Sequence, residues 1–542
     1  MPTHISHSFR QVAKDWQHLV FDGQLWVNLD LGAFDYVPPP LLGRLAAYSG
    51  SFIRTINLSG HTRLSYSTLI DMTKSMCIYN GNGIHDDIPI TQLTHINLSG
   101  CLSITHHSLR YLLEHSPRLV SLKAKGLKAV TNETCQTLAQ YCPLVQVLDL
   151  GRCHKMDSDG ICAMMYTHRT SNTLSALKEL RISGLRRIND HVLRLLGRYA
   201  PYLEVLDLSN ASGLHNTALE ALTSCPEDEG HTNVVVLTSR EAGRDPNDLT
   251  KHRRRITRLR HLNLSSCALL TDTALTHLAH AVPKLEILEL ASIGAELRDD
   301  GLIHLLKTTP FLRRLDLDEA CDITDDTLAA ITPDISDLGS TNVNPPQPGC
   351  LLEHLTLSYA VRISNDAVMA LIRACTYLKH LEVDSTRVSG ATVKEFVRLC
   401  RKRQSTNAGI VIVDCRGVSE NTVKELSTIT RTRMGWRSWE ARTLQYLDAR
   451  DNESLGVGQD ECDEKRVTLK SFYSWQTVDA VNTARQKRQK AEKKSGRYDS
   501  RYGDDSIGRA AKWWTPGGRR ASGTTSPASS SIDRDREGCI IM

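Results

Sequence analysis

Cys539, Ile540, Ile541 and Met542, the last four residues of the sequence, carry its most specific chemical signal. A thiol followed by two aliphatic residues and a methionine is alkylated by a prenyl diphosphate. Cys539 is therefore expected to carry a farnesyl group, with Ile540, Ile541 and Met542 read by the transferase. One prenyl chain binds a bilayer only marginally, and each nearby cation adds about 1 kcal/mol at an anionic surface. Residues 485–520 supply such cations, with 12 Lys or Arg against 4 Asp or Glu, while the whole chain carries +5. Ser522, following Arg519 and Arg520, fits a basophilic kinase site, and a phosphate there would subtract charge beside the anchor.

The sequence offers no second chemistry of comparable specificity. It has no phosphate-binding glycine loop, no Gly-x-Ser-x-Gly elbow and no His/carboxylate pair at metalloenzyme spacing. A non-catalytic protein without metal or cofactor is expected. The 15 cysteines are scattered and form no Cys-x-x-Cys pair, which argues against disulfides or zinc and for a reducing compartment. No apolar run reaches the length of a membrane span, and the N-terminal residues show no charged-then-apolar signal. The expected location is cytoplasmic, peripheral on the cytosolic face of a membrane, with the nucleus as alternative. Lys251, Arg253, Arg254 and Arg255 cluster without an aromatic platform, so nucleic acid is not an expected partner.

These residues hang on a repeat. Leu98, Ala124 and Leu150 are 26 residues apart, and Leu264, Leu290 and Leu317 continue nearly the same step. Each unit begins with a Leu-x-x-Leu-x-Leu strand, passes a Cys, Gly or Ser position, and turns through an Ile-Thr-Asp-like sequence into an apolar helix. Such a unit cannot bury its own apolar face, so neighbours stack. The fold class is α/β: a leucine-rich-repeat horseshoe with parallel strands inside and helices outside. Cys101, Cys153 and Cys267 each lie three places after a strand leucine, where a small buried side chain suits the turn.

The units run over 52–426, about twelve in number, with insertions at 78–91, 223–256 and 334–350 that read as loops. Residues 427–480 are rich enough in Trp, Leu and Phe to form a C-terminal cap. Residues 481–542 read as a disordered basic tail.

The stretches LNLSSCALLTDTALTHLAH and LDLDEACDITDDTLAAI resemble the cysteine-containing leucine-rich repeats of F-box proteins and of the related antagonist-of-mitotic-exit proteins. Within 1–31, Val12, Trp16, Leu25 and Trp26 in VAKDWQHLVFDGQLWVNLDL resemble the last helix of an F-box and its junction with the first repeat. The Leu-Pro start and two earlier helices of an F-box have no counterpart in the sequence. Either the true start lies upstream, or adaptor binding is lost and this segment is an N-terminal cap. The first alternative implies a substrate receptor of a Skp-cullin-F-box ubiquitin ligase, with a Skp-type adaptor and a cullin as partners. The second implies a scaffold or inhibitor that binds a partner without ubiquitin transfer.

On either reading the concave strand positions are where a partner would bind. They include Lys123 and Arg181 early, then Glu289, Asp316, Asp318, Glu382 and Asp384. The late units lean acidic and are expected to prefer a basic segment. His95, His261, His354 and His380 recur at one strand position in units that are mostly not adjacent, and they read as exposed polar residues.

Overall fold

The computed structural model describes residues 23–34, 36–78, 89–170, 175–226, 233–245, 247–293, 297–334, 345–436, 445–448 and 464–472. The first strands are β1 (Asn28–Asp30), β2 (Thr55–Asn57), β3 (His95–Asn97), β4 (Ser121–Lys123), β5 (Val147–Asp149) and β6 (Glu179–Arg181). Next come β7 (Val205–Asp207), β8 (Val234–Thr238), β9 (Lys251–Arg255), β10 (His261–Asn263), β11 (Ile287–Glu289) and β12 (Arg314–Asp316). The last are β13 (His354–Thr356), β14 (His380–Glu382), β15 (Gly409–Val413), β16 (Arg431–Trp436), β17 (Gln445–Asp448) and β18 (Thr468–Phe472). Sixteen of them form one sheet in the order β1 to β7, β10 to β15, β18, β16, β17. Pairing is parallel except for β16 with β17, and a helix follows each strand from β1 to β7 and from β10 to β15. Because strands sit about 4.8 Å apart and helices about 8–10 Å apart, stacking such units places the sheet on the inner side.

Leucine spacing sets this architecture. The central residue of each short strand and the residue just after it are buried, as with Leu262 and Leu264 or Leu315 and Leu317. The intervening Asn263 and Asp316 face the open side of the sheet and are only half-buried. Helix starts carry Ser, Thr or Asn caps: Ser65 accepts the Thr68 N–H at 3.1 Å, and Thr105 forms a capping box with Ser108.

The Asp or Asn just after the cap has a second task, because it binds the turn of the next unit. Asn132 accepts the Asp157 N–H at 3.0 Å, Asp272 that of Arg298 at 2.6 Å, Asp325 that of Ser364 at 2.7 Å and Asn365 that of Ser389 at 2.9 Å. The thiols make a parallel ladder. Cys101 donates to the Leu58 carbonyl at 3.0 Å, Cys267 to Leu208 at 3.2 Å and Cys415 to Val383 at 2.9 Å. Burial pushes the Cys101 and Cys267 thiols up to about 11, so they serve as packing donors and not as nucleophiles. Cys321 is displaced by one place and is exposed, with Ala320 taking the buried position.

Two features depart from the sequence reading. The sheet begins before Phe52, since β1 pairs with β2 and the helix Pro39–Ser49 packs Leu42, Leu45 and Ala46 into the same core. The stretch 223–256, read as a loop, contains an antiparallel hairpin of β8 and β9. Its strands come from a β-branched Val234-Val235-Val236 run and the Lys251–Arg255 run, whose arginines mask a strand in the sequence. Arg254 is 5% exposed. Its guanidinium donates to the carbonyls of Thr276 at 2.7 Å, Ala279 at 2.8 Å and Ala242 at 2.9 Å, tying the hairpin to the helix Asp272–Leu278.

Candidate protein-binding face

On the open face of the sheet, the register lines up one residue from every strand. From β4 to β7 the row reads Lys123, Asp149, Arg181, Asp207, alternating in sign between direct neighbours. Arg181 also lies 3.7 Å from Glu179 on its own strand. From β10 to β14 the row reads Asn263, Glu289, Asp316, Thr356, Glu382 without a cation, and past Val411 of β15 it ends in Lys470 of β18 and Arg433 of β16. Glu289 is neutralised locally: His261 approaches it at 3.7 Å, Arg314 at 3.8 Å, and Asn263 donates to it at 2.5 Å. His261, then its charge and that of Arg314, hold this carboxyl below the usual range against burial. Of the acidic residues named from sequence, Glu289 is therefore the one that faces basic side chains of neighbouring strands at ion-pair distance among the described residues.

Asp316, Asp318, Glu382 and Asp384 come together beyond it. Burial, followed by the charges of Asp316, Glu319 and Glu382, pushes the Asp318 carboxyl up to about 6. Its Oδ1 is covered and has no hydrogen-bond partner among the described residues. Asp384 rises to about 7 for the same reasons, burial first and then Glu382, Asp318 and Asp414, although it accepts the Val413 N–H at 2.7 Å. Burial also raises Asp316, whose Oδ1 accepts the Asp318 N–H at 3.2 Å. Carboxylates crowded in this way repel one another, and an approaching cation relieves that repulsion.

Two further residues flank the cluster. In unit after unit the second residue past the strand leucine is left-handed: Gly60, Gly100, Gly126 and Gly184 in early units, Asn210, Ser266 and Ser385 in others. Glu319 and Tyr359 occupy that place with φ of 62° and 63°, as Arg152 and Asp414 do in other units with φ of 58° and 54°, and all four are exposed. A carboxylate and a bulky aromatic here cost backbone energy that glycine would not, but the conformation belongs to the turn of unit after unit; what is particular to this sector is the pair of exposed side chains. The strand pattern did not single them out. The break in an otherwise Gly-, Asn- or Ser-rich position was the available signal.

No protein-family model matches the chain. Among solved structures, a chain in the crystal structure of the Rad7 and Elc1 complex in yeast is similar at 17% sequence identity and a TM-score of 0.47, covering 78% of this chain and 94% of that one. The fold is read from the repeat geometry itself. The chain is a leucine-rich-repeat solenoid.

The histidines divide as the register dictates. His354 and His380 are direct neighbours and stack with ring centroids 4.3 Å apart and an interplanar angle of 12°. Burial first, then His354, Lys379 and Lys470, pushes His380 down to about 4, and burial first also lowers His354. At neutral pH the pair is an uncharged aromatic surface beside the acidic cluster. No group of three or more metal-ligating side chains occurs among the described residues.

At the other end of the sheet, Leu25 is 62% exposed while Trp26 packs against the core. Val12, Trp16, Ser522, Cys539, Ile540, Ile541 and Met542 lie outside the described residues. No helix among the described residues is long and apolar enough to cross a membrane.

Proposed function

We propose that this solenoid is a non-catalytic protein receptor that takes a Lys- or Arg-rich segment of its partner on the sector formed by Asp316, Asp318, Glu382 and Asp384. The observation that carries the reading is the gathering of these carboxylates on one stretch of the open face, with the covered Asp318 Oδ1 left without a hydrogen-bond partner among the described residues; burial and mutual repulsion accordingly raise Asp318 to about 6 and Asp384 to about 7. A bound cation lowers both values and gains the corresponding interaction energy. Tyr359 and the His354/His380 stack supply flat surfaces for the aliphatic stems and charged heads of such a segment.

At the finer level, the F-box-like residues Val12, Trp16, Leu25 and Trp26 support a substrate-recognition subunit of a cullin-type ubiquitin ligase. Cys539 in its Cys-Ile-Ile-Met sequence would carry a farnesyl tether assisted by the basic run 485–520. The second reading, a scaffold without ubiquitin transfer, gives Trp26, which packs against the core, the work of a cap.

Affinity purification of the tagged full chain, as wild type and as Glu382→Lys/Asp384→Asn, tests both levels. The partner should be lost from the variant while adaptor and cullin peptides persist in both samples. Undiminished recovery of the partner with the variant would remove the acidic sector from the binding face. Recovery of a stoichiometric partner without adaptor or cullin leaves the scaffold. Loss of membrane association in Cys539→Ser is the expected result for the lipid, and unchanged membrane association would exclude it.

A further inference from the structure

The β8–β9 hairpin presents a second surface, on the helix side of the solenoid. Ile256 N–H donates to the Asn233 carbonyl at 3.0 Å, and the register pairs Val235 with Arg254 and Leu237 with His252. Hydrogen-bonded pairs alternate along an antiparallel ladder, so 233/256, 235/254 and 237/252 are bonded and Val234, Val236 and Thr238 turn their backbone groups outward. Two contacts agree with this assignment. Glu241 Oε2 accepts the outward Thr238 N–H at 2.9 Å, and on the opposite edge Cys225 N–H donates to the Arg253 carbonyl at 3.2 Å.

Among the described residues the edge of β9 is therefore partly occupied, and that of β8 is open. Among the described residues the N–H and C=O groups of Val234 and Val236 have no partner. Val236 is 55% exposed. Exposed edges are usually guarded by proline, a bulge or an inward charge, and Asn233-Val234-Val235-Val236-Leu237-Thr238 contains none of these.

Charge selects the occupant. Thr238 and Val236 sit opposite Lys251 and Arg253, and neither cation makes an ion pair among the described residues. The Arg253 Nε–H meets no acceptor among the described residues. A strand added outside β8 would run about 4.8 Å from it and about 10 Å from β9, within reach of both long side chains. Side chains at every second position of that strand would lie on the face carrying Lys251 and Arg253.

We propose that the outer edge of β8 accepts an extended acidic segment of a partner protein as a third strand, with its carboxylates set against Lys251 and Arg253. Main-chain hydrogen bonds to Val234 and Val236 hold the segment, and the cations choose its side chains. This surface is separate from the acidic sector of the open face and selects the opposite charge.

Fluorescence anisotropy of a labelled Glu-Val-Glu-Val-Glu-Val-Glu peptide titrated with the full chain tests the assignment, with the Lys-Val counterpart as control. Saturable binding of the acidic peptide alone is expected. Val236→Pro removes only an outward N–H and leaves the β8–β9 ladder intact, yet it should weaken binding by about tenfold or more. Lys251→Glu/Arg253→Glu should weaken it similarly and take the Lys-Val peptide instead.

Binding indifferent to Val236→Pro, equal binding of both peptides, or no binding at about 1 mM peptide would each overturn the proposal. A Val236-dependent dimer in light scattering that excludes the peptide would identify a second copy of this chain as the occupant. Binding that appears only after Glu227→Gln/Asp228→Asn/Glu229→Gln would assign the edge to the chain's own acidic run.

Discussion

Asp299 holds the next unit through Thr324. Its carboxylate accepts the Thr324 backbone N–H at 2.8 Å and the Thr324 hydroxyl at 2.9 Å, and takes a third hydrogen bond from the Thr327 hydroxyl at 2.6 Å. Asp299 opens one helix, and Thr324 caps the next. The same side chain therefore complements its own helix N-terminus and closes the turn of its neighbour.

Asp299→Ala should then destabilise the solenoid by about 2 kcal/mol, since it leaves a backbone N–H and two hydroxyls to find other partners. Asp300→Ala, at the exposed adjoining position, should cost only a few tenths of a kcal/mol. Urea unfolding midpoints compare the two. Equal effects would mean that helix-dipole charge, and not the inter-unit bonds, is what Asp299 contributes.

A second expectation concerns Arg254, the buried fork under the hairpin. Arg254→Met keeps the apolar stem but leaves the carbonyls of Thr276, Ala279 and Ala242 without their donor. Hydrogen exchange should accelerate across 234–255 by about tenfold or more, with the strands β13 to β15 unaffected, because the loss is local to the hairpin. Uniform acceleration along the whole solenoid would show that the hairpin is a structural brace for every unit.

These two residues mark what the sequence could and could not disclose. The strand leucines and the parallel stack were legible because burial imposes one spacing on every unit, and Leu262, Leu288 and Leu315 are paired in register as that spacing requires. The Thr-Asp turn was visible as a motif, but the task of its Asp was not, because its partner lies a full unit away. Arg254 lay in a basic run that reads as solvated, and only the three carbonyls beneath it explain its burial. On the open face, the late acidic residues were visible individually. The engagement of Glu289 by His261 and Arg314 depended on lateral register, as did the stacking of His354 on His380.

The acidic sector should also set the pH dependence of stability. Asp384 rises to about 7 in the folded chain through burial and the neighbouring charges of Glu382, Asp318 and Asp414, whereas an unfolded Asp titrates near 3.9. Between about pH 4 and pH 7 the folded state keeps a proton that the unfolded state has released, so folding stability falls as pH rises through that window. Asp318, raised to about 6, acts in the same direction. Asp384→Asn retains an oxygen for the Val413 N–H and removes the titration. Its thermal midpoint should match that of the wild type only below about pH 4, exceed it increasingly from about pH 5 to about pH 7, and vary less over that interval. A wild-type midpoint that rises over this interval relative to Asp384→Asn would reverse the sign, and with it the claim that the carboxylates of this sector are held together at an energetic cost that a basic partner relieves.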